Sequence, residues 1–249
     1  AAEDPLSAPV DTLAADKVVA VSRAVGEQLA AAGTPREKLC VICNGIMPVP
    51  PYDGGAREAL RESLGLDRGR LWVGVAARLE TVKGVDLFLD AARRVLERRD
   101  DVRFAVFGVG SQEAALRAMV SDLGDKVRFL GFCDEIEQAL GLLDIVVVPS
   151  RSEAFCLSAA EALSMGTPVV AFDVDGVSEV VRDGVTGRLA PAGDTAALAA
   201  RIEALLDDPA LRLRLGEQGR ELVLREFTAE TMTRKTEALY DELAARKGR

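Results

Sequence analysis

The chain has 249 residues, 49% of them hydrophobic, which is enough apolar material for one large domain or two small ones. With 31 basic and 40 acidic residues its formal charge is −9, which argues against nucleic acid or an anionic membrane as its default partner. No apolar run approaches the roughly 18 residues of a membrane span, and no secretory signal is visible. We therefore expect no integral membrane segment, and any anionic ligand would need a local cluster of positive charge.

The sequence contains no histidine, so no imidazole of this chain can act as a general base or as a metal ligand. Cys40 and Cys43 form a Cys-x2-Cys pair without a second pair to complete a zinc site, and we interpret them as buried apolar residues. The four cysteines are typical of reduced thiols, which predicts a cytoplasmic protein. The first residue is alanine rather than methionine, which suggests a processed or cut chain.

The N-terminal part predicts a strand at 16–21, a helix from Arg23 to about Ala32 and a second strand at 38–43. Residues 47–55 contain three prolines and two glycines, which is typical of a linker. The segment before it is too short to bury a core by itself. We therefore interpret residues 1–46 as the last strand and helix of an N-terminal domain that is otherwise absent from the sequence.

Beyond the linker, strands and helices alternate regularly. Strands are predicted at 71–76, 102–107, 127–130, 145–149, 169–172 and 187–189. Helices are predicted at 57–64, 85–98, 112–123, 136–142, 157–165, 177–182, 195–206, 209–226 and 229–246. The strands are near-continuous apolar runs, as expected of a parallel sheet covered on both faces. The pattern predicts an α/β fold with a Rossmann-like parallel sheet and helices on both faces.

Two glutamates flank the start of the helix predicted at 157–165. Glu153 falls in the turn after the strand at 145–149, and Glu161 lies about one turn into the helix. This strand–turn–helix order places a ligand at the carboxyl edge of a parallel sheet. The backbone amides of Phe155, Cys156 and Leu157 lie between the glutamates, where helix N-termini favour anions. Such a site suits a ligand with both phosphate and hydroxyl groups, and a nucleotide sugar is such a ligand.

Two cations follow the strand at 71–76, at the same predicted edge of the sheet. Arg78 and Lys83 are five residues apart in a loop and could converge on one diphosphate, arginine as a planar fork and lysine as a point charge. The alternative is a pair of solvated loop cations. Their register with the two glutamates favours the binding site.

A glycine pair after the strand at 102–107 superficially suggests a dinucleotide fingerprint. Gly108 and Gly110 have the right setting, but Glu113 stands where the third glycine belongs. We therefore do not predict an NAD site.

Together these motifs resemble the retaining glycosyltransferases of the GT-B fold, in particular glycosyltransferase family 4, whose Glu-x7-Glu element the two glutamates match. The likeness extends from about Ala15 to the C-terminus. In the family's order and spacing it also includes Val21-Ser22, Asn44-Gly45, Arg78-Leu79 followed by Lys83-Gly84, Phe107-Gly108-x-Gly110, Phe129-Leu-Gly131, Pro149-Ser150 and Asp183-Gly184-x-Thr186-Gly187.

The resemblance implies catalytic roles for three residues. Arg78 and Lys83 would hold the donor diphosphate and offset the charge that builds as the nucleoside diphosphate departs. Glu153 would contact the sugar ring or its developing positive charge, the alternative being an acid that only complements the helix dipole. No metal and no cofactor are implied, because the two cations would do the electrostatic work.

The resemblance also implies a set of donor-binding residues. Glu161 would accept hydrogen bonds from the ribose hydroxyls, and Gly108 would lie in a loop beneath the nucleotide. Phe129, Gly131 and Phe132 would border the base pocket, unless Phe129 is plain core. The distal phosphate and the sugar hydroxyls would be bound at Phe155, Cys156, Leu157 and Ser158.

The implied organisation is the C-terminal, donor-binding half of a hexosyltransferase-type enzyme. Residues 1–46 would end the acceptor domain, 47–55 would be the linker, 56–227 the nucleotide-sugar-binding domain, and 228–249 a helix returning toward the N-terminal domain. The acceptor site would lie in the absent domain or in a partner subunit. We therefore expect this chain alone to bind the donor yet transfer sugar poorly or not at all.

The sequence departs from the family at two turns. The family usually has glycine or proline where Cys156 stands, so either a side chain narrows the sugar pocket or the backbone never needs a positive φ there. The stretch from Asp175 to Glu179 matches only part of the family's Gly-Gly-x-x-Glu turn. Whether Glu179 or Arg182 touches the ligand is left open.

Two other functions fit parts of this pattern. A stand-alone nucleotide-sugar-binding module, or a donor subunit without activity of its own, would have the same sequence. A GT-B epimerase would need acid/base groups from both halves, and a glycogen-type phosphorylase would need a pyridoxal-bearing lysine. Neither signature stands out.

Overall fold

The computed structural model describes residues 15–247. The strands in this range are β1 (Val18–Ala20), β2 (Leu39–Val41), β3 (Leu71–Ala76), β4 (Val102–Phe107), β5 (Val127–Gly131), β6 (Ile145–Val148), β7 (Val169–Phe172) and β8 (Gly187–Ala190). The α-helices are α1 (Arg23–Ala31), α2 (Gly54–Ser63), α3 (Val85–Leu96), α4 (Glu113–Met119), α5 (Ile136–Leu140), α6 (Leu157–Ser164), α7 (Val177–Val180), α8 (Thr195–Asp207), α9 (Pro209–Glu226) and α10 (Ala229–Lys247). Short 3-10 helices lie at Arg36–Lys38, Thr81–Lys83 and Ser121–Lys126.

Six parallel strands form the central sheet, in the order β5-β4-β3-β6-β7-β8. The chain runs outward from β3 to β5 and then returns to the centre with β6, so the order reverses between β3 and β6. Ligands of open parallel sheets bind at this switch point, outside the carboxyl ends of the strands. The loops after β3 and β6 carry Lys83 and Glu153, and both loops therefore meet at the expected edge.

The sheet separates two apolar cores, because alternate residues of each buried strand point to opposite faces. One core contains Val73, Val106 and Val147 and is covered by α3 and α8. The other contains Trp72 and Phe107 and is covered by α5, α6 and α9. Helices on both faces confirm the predicted α/β fold with a Rossmann-like parallel sheet.

The first strand and helix form a small unit beside this sheet. β1 and β2 pair in parallel with each other, in a sheet of their own, and α1 packs on them. The chain then meets the C-terminal helices, because the N–H of Ile46 donates to Phe227 O at 2.9 Å and the N–H of Ala229 donates to Ile46 O at 2.7 Å. The N-terminal unit therefore reaches the larger domain where α9 gives way to α10.

The linker is shorter than predicted. Helix α2 begins at Gly54, so the predicted linker glycines belong to the helix, and only residues 47–53 lack regular structure. A buried side chain holds this segment, since Gln138 accepts from Tyr52 N–H at 2.9 Å and donates to Pro50 O at 2.8 Å.

The helix predicted at 112–123 is also wrong in its extent. Helix α4 ends at Met119, and the following 3-10 segment is broken at Gly124, whose φ of 56° and ψ of −129° suit glycine alone. The other elements agree with the prediction to within a few residues. None of the helices in the described range combines the length and the apolarity that a bilayer crossing requires.

Candidate functional site: two adjoining cavities at the switch point

A polar cavity of about 360 Å³ opens between the loops that follow β3 and β6. The size falls in the range of small-molecule sites. Its lining includes seven predicted site residues, namely Lys83, Glu153, Phe155, Cys156, Leu157, Ser158 and Glu161. We call it the anion cavity.

Lys83 and Glu153 form an ion pair in the anion cavity. The Nζ of Lys83 lies 2.6 Å from Glu153 Oε1, and the two side chains are 23% and 12% exposed. Ser150 Oγ donates to the same carboxylate oxygen at 2.9 Å. Because charge-assisted hydrogen bonds are the strong ones, this pair fixes both side chains at the mouth of the cavity.

Arg151 joins the two loops that carry this ion pair. Its backbone N–H donates to Val82 O at 2.8 Å, and its guanidinium donates to Thr81 O at 2.7 Å. The guanidinium also makes a two-pronged ion pair with Asp86, at 2.8 and 2.7 Å. Gly84 permits the close approach, because a Cβ there would lie 2.0 Å from Pro149 O and its φ is +64°.

The N-terminus of α6 faces the anion cavity. No acceptor within residues 15–247 bonds to the backbone amides of Phe155, Cys156 and Leu157, and no side-chain oxygen caps the helix. Unsatisfied amides at a helix N-terminus, together with the helix dipole, form an anion site. The arrangement suits a phosphate oxygen between Lys83 and the start of α6.

Cys156 adopts a left-handed conformation, with φ at +72° and ψ at +73°. The suggestion that the backbone never needs a positive φ here is therefore wrong. The side chain is 3% exposed and lines the anion cavity, and burial raises the pKa of its thiol to about 12. The residue is a neutral apolar wall at a position that favours glycine.

Substitution of Cys156 should reveal this conformation. Cys156→Gly is expected to change the free energy of unfolding by less than about 1 kcal/mol, because relief of the left-handed strain offsets the lost burial. Cys156→Val should lower it by about 2–4 kcal/mol, since a β-branched residue tolerates this region poorly. Urea denaturation of both variants measures the difference, and equal stabilities would contradict the assignment of strain.

A second cavity of about 340 Å³ adjoins the first and is mostly apolar. Its lining includes Arg78, Phe107, Gly108, Phe132 and Ile136. Gly108 is required there, because its φ is +124° and a Cβ would lie 1.9 Å from Ala77 O. We call it the apolar cavity, and its lining suits a planar ring.

Glu161 lines both cavities and therefore stands at their boundary. Burial raises the pKa of its carboxyl above the ordinary value, and the negative charge of Glu137 raises it further. No hydrogen bond from residues 15–247 reaches this carboxylate. A partly buried carboxylate without a donor, between a polar and an apolar cavity, is suited to accept hydrogen bonds from a ligand's hydroxyl groups.

Two predicted positions need correction. Phe129 does not line either cavity, because it lies beside Val106 on the opposite face of the sheet, packed against the core under α3 with Arg117 over its ring at 4.6 Å. Phe132, which the resemblance also placed beside the base, does line the apolar cavity and is 73% exposed. Arg78 and Lys83 do not share a cavity, since Arg78 is exposed and borders the apolar one.

Sequence reasoning missed three residues that shape the site. Asn44 lines the anion cavity from the N-terminal unit, and its Asn-Gly pair was part of the family likeness. Ser150 and Arg151 bond to Glu153 and to the Lys83 loop, and only the Pro-Ser pair signalled them. Among residues 15–247 there is no group of three or more cysteine, aspartate or glutamate side chains that could hold a metal ion.

Comparison with known families decides the assignment. A family model described as glycosyl transferases group 1 matches residues 56–222, which is more than half of the chain and includes all of the predicted site residues. The chain belongs to this family. Its fold is that of a GT-B glycosyltransferase, as the sequence predicted.

This member of the family is similar to several curated enzymes. It is 34% identical over 196 residues to alpha-D-kanosaminyltransferase of Streptomyces kanamyceticus. The aligned region covers 77% of this chain and 50% of the relative. It is 41% identical over 149 residues to phosphatidyl-myo-inositol mannosyltransferase of Mycobacterium leprae, which covers 59% and 40%. The chain spans about half the length of the curated relatives it matches.

Solved structures of glycosyltransferases superimpose on most of the chain. The Anabaena protein HepE, in complex with UDP and glucose, has a TM-score of 0.84 and 25% identity over 91% of this chain and 63% of its own. Sucrose-phosphate synthase of Thermosynechococcus elongatus has a TM-score of 0.80 and 29% identity over 93% of this chain and 59% of its own. Both likenesses agree with the α/β fold.

Proposed function

We propose that the chain is the donor-binding part of a retaining hexosyltransferase of family 4, which moves a sugar from a nucleotide-diphosphate sugar to an acceptor. The observation that carries the proposal is the position of Glu161 between the apolar and the anion cavity. A nucleotide sugar has the same order of parts, with a planar base, a ribose with two hydroxyls and a diphosphate. The UDP bound in the HepE structure supports a uridine donor.

The proposed binding mode assigns each part of the ligand to one region. The base lies in the apolar cavity against Phe132 and the Gly108 loop, and the ribose hydroxyls donate to Glu161. The diphosphate lies between Lys83 and the amides at the start of α6, where Arg78 closes on it from the neighbouring cavity. Glu153, beside Lys83, faces the sugar and stabilises its developing positive charge.

The proposed chemistry needs no metal ion. As the bond between the sugar and the diphosphate breaks, negative charge builds on the departing phosphate. Lys83 and the helix amides are preorganised to stabilise it, and Arg78 adds its charge once it has closed on the diphosphate. The acceptor is bound by a domain or partner subunit outside this sequence, so the isolated chain binds the donor without efficient transfer. All four cysteines are unpaired, and we place the protein in the cytoplasm on that ground.

Calorimetric titration with UDP tests this function. We expect UDP to bind more tightly than uridine by about 100-fold or more, because at least two charge-assisted contacts to the diphosphate are lost with uridine. Excess EDTA should leave the affinity unchanged, since no metal bridges the phosphates. Equal binding of UDP and uridine, or loss of UDP binding in EDTA, would show that the site works differently.

Incubation of the purified chain with UDP-glucose and a sugar acceptor completes the test. No transfer at an ordinary enzymatic rate is expected. Transfer at such a rate would overturn the donor-only role while leaving the donor site intact.

A further inference from the structure

The turn between β7 and α7 holds a second non-glycine residue in the left-handed region. Asp175 has a φ of +38°, and within residues 15–247 only Cys156 shares this feature. A left-handed conformation costs an L-residue about 1–2 kcal/mol relative to glycine. Asp175 also stands where the family pattern has the first glycine of its Gly-Gly-x-x-Glu turn. Strained positions of this kind are often ones where the side chain has a specific role.

The Asp175 carboxylate holds the loop that carries Glu153. Its Oδ2 accepts from Ser152 Oγ at 2.6 Å and from the backbone N–H of Glu153 at 3.1 Å. The next residue adds another bond to the same loop, because the N–H of Gly176 donates to Glu153 O at 3.0 Å. The backbone of Glu153 is thus bound on both its N–H and its C=O side by two consecutive residues.

The same turn holds the N-terminal unit. Asp175 Oδ1 accepts from Gln28 Nε2 of α1 at 3.1 Å. At the other end of the turn, Glu179 accepts from the backbone N–H groups of Arg23 and Ala24 at 2.7 and 3.2 Å, and its side chain is 11% exposed. Glu179 therefore binds the start of α1, and it lines neither cavity.

Gly176 fixes the spacing between the two neighbours of the turn. A Cβ at this position would lie 2.3 Å from Ala154 O, in the Glu153 loop, and 3.0 Å from Ser22 Oγ, the cap of α1. The turn is therefore in direct contact with the Glu153 loop on one side and with α1 on the other.

We propose that Asp175 is a positioning residue for Glu153, and that it makes the placement of Glu153 depend on the docking of α1. The carboxylate does not line either cavity, so it acts through the Ser152–Glu153 backbone and not on the ligand. Because Glu153 is ion-paired with Lys83, the anion cavity is coupled through this turn to the N-terminal unit. Only the consequence for ligand binding rests on the proposed function.

Amide hydrogen exchange, measured by NMR on the unliganded chain, tests the positioning role. Asp175→Gly removes the carboxylate at a position that glycine tolerates, and the Glu153 amide should exchange about tenfold faster or more. Asp175→Asn is the matched control. Its side-chain oxygen can accept from Ser152 and Glu153 while the Gln28 amide flips to meet the new NH2, so exchange should stay within about twofold of the parent. Unchanged exchange in the glycine variant, or equally fast exchange in both variants, overturns the proposal.

A substitution on α1 tests the coupling separately. Gln28→Leu keeps the size of the side chain and removes only its bond to Asp175, and it should raise the Glu153 exchange rate about threefold because one supporting bond is lost. No change in this variant would overturn the dependence on α1.

The affinity for UDP tests the link to the anion cavity. Asp175→Gly should weaken UDP binding about fivefold because Lys83 is displaced together with its partner, whereas Asp175→Asn should not. An unchanged UDP affinity in the glycine variant overturns this link. If the parent chain does not bind UDP at all, the proposed function fails, while the exchange rates still decide whether Asp175 positions Glu153.

Discussion

Replacement of Glu161 by alanine is expected to weaken the binding of UDP about 30- to 150-fold, a loss of about 2–3 kcal/mol. The reason is the position of this carboxylate between the two cavities, where no side chain of the described chain donates to it and a ribose can. Isothermal titration calorimetry of the parent and the variant measures the change. Glu137→Ala is the control, because it removes a neighbouring negative charge and no proposed ligand contact.

A change in the ligand separates this role from a general disturbance of the fold. UDP without its 2′ and 3′ hydroxyls should bind the parent chain about as weakly as UDP binds Glu161→Ala. The variant itself should not distinguish the two ligands, because the partner of the hydroxyls is gone. A variant that still prefers UDP by the full factor would show that another group binds the ribose.

The raised pKa of Glu161 adds a pH signature to the same experiment. The free carboxyl takes up its proton at a higher pH than an ordinary glutamate, whose pKa is about 4.3, and the protonated form is a poorer acceptor. As the pH is lowered, UDP affinity should therefore begin to fall at a pH above the pKa of an ordinary glutamate. The Glu161→Gln variant has no carboxyl at this position and should lack this part of the pH dependence. The nucleotide phosphate titrates in the same way with both proteins. The difference between their pH profiles of UDP affinity therefore reports the protonation of Glu161.

Lys83→Met should affect both stability and binding. The variant leaves the Glu153 carboxylate, only 12% exposed, without its cation, and we expect the free energy of unfolding to fall by about 1–3 kcal/mol. UDP should bind about 10- to 100-fold more weakly, because a charge-assisted contact to the diphosphate is lost. Urea denaturation and calorimetry measure the two effects.

The double variant Lys83→Met/Glu153→Gln separates these effects. Glutamine removes the unpaired charge and can keep the bond from Ser150, so most of the stability should return while UDP binding stays weak. Recovery of both properties would mean that Lys83 acts only through Glu153 and makes no contact with the diphosphate. Lys83→Arg is a charge-conserving control, which should bind UDP better than the methionine variant.

The sequence was sufficient for the parts of this molecule that depend on local pattern. Apolar runs separated by amphipathic helices predicted the parallel sheet, because such strands are buried on both faces. The strand–turn–helix order around the two glutamates predicted which edge of the sheet would carry them. Both inferences need only short-range periodicity and the general topology of parallel sheets.

Other features depend on geometry that periodicity does not encode. Phe129 pairs with Val106 in the regular part of the β4–β5 register and shares its face of the sheet, away from the apolar cavity, and the register shifts only after this pair, where Phe107 pairs with Gly131. A one-residue difference in register moves a side chain to the other face of a sheet. The direction of Lys83 likewise depends on the 3-10 turn at Thr81–Lys83 and on the left-handed Gly84 that follows it. The spacing of Arg78 and Lys83 alone could not show that they border different cavities.

Between residues 15 and 247, the two departures from the family pattern are the two places where a residue other than glycine has a positive φ. At Cys156 and Asp175 the turns keep the conformation that glycine favours. From the sequence alone, a departure could equally have meant a different turn. The structure shows that both residues adopt a left-handed conformation and bring a thiol to the cavity wall and a carboxylate to the Glu153 loop.

The bonds between Ile46 and the residues on either side of Thr228 have a mechanical consequence. The backbone that leaves the N-terminal unit at Gly45 and Ile46 is tied side by side with the junction of α9 and α10, and a Cβ at Gly45 would lie 2.3 Å from Thr228 O. A shift of either backbone segment would therefore displace the other. Phe227, next to this seam, packs edge-on against Phe155 at 5.3 Å between ring centres. A displacement of this seam would therefore reach Phe155 in the wall of the anion cavity.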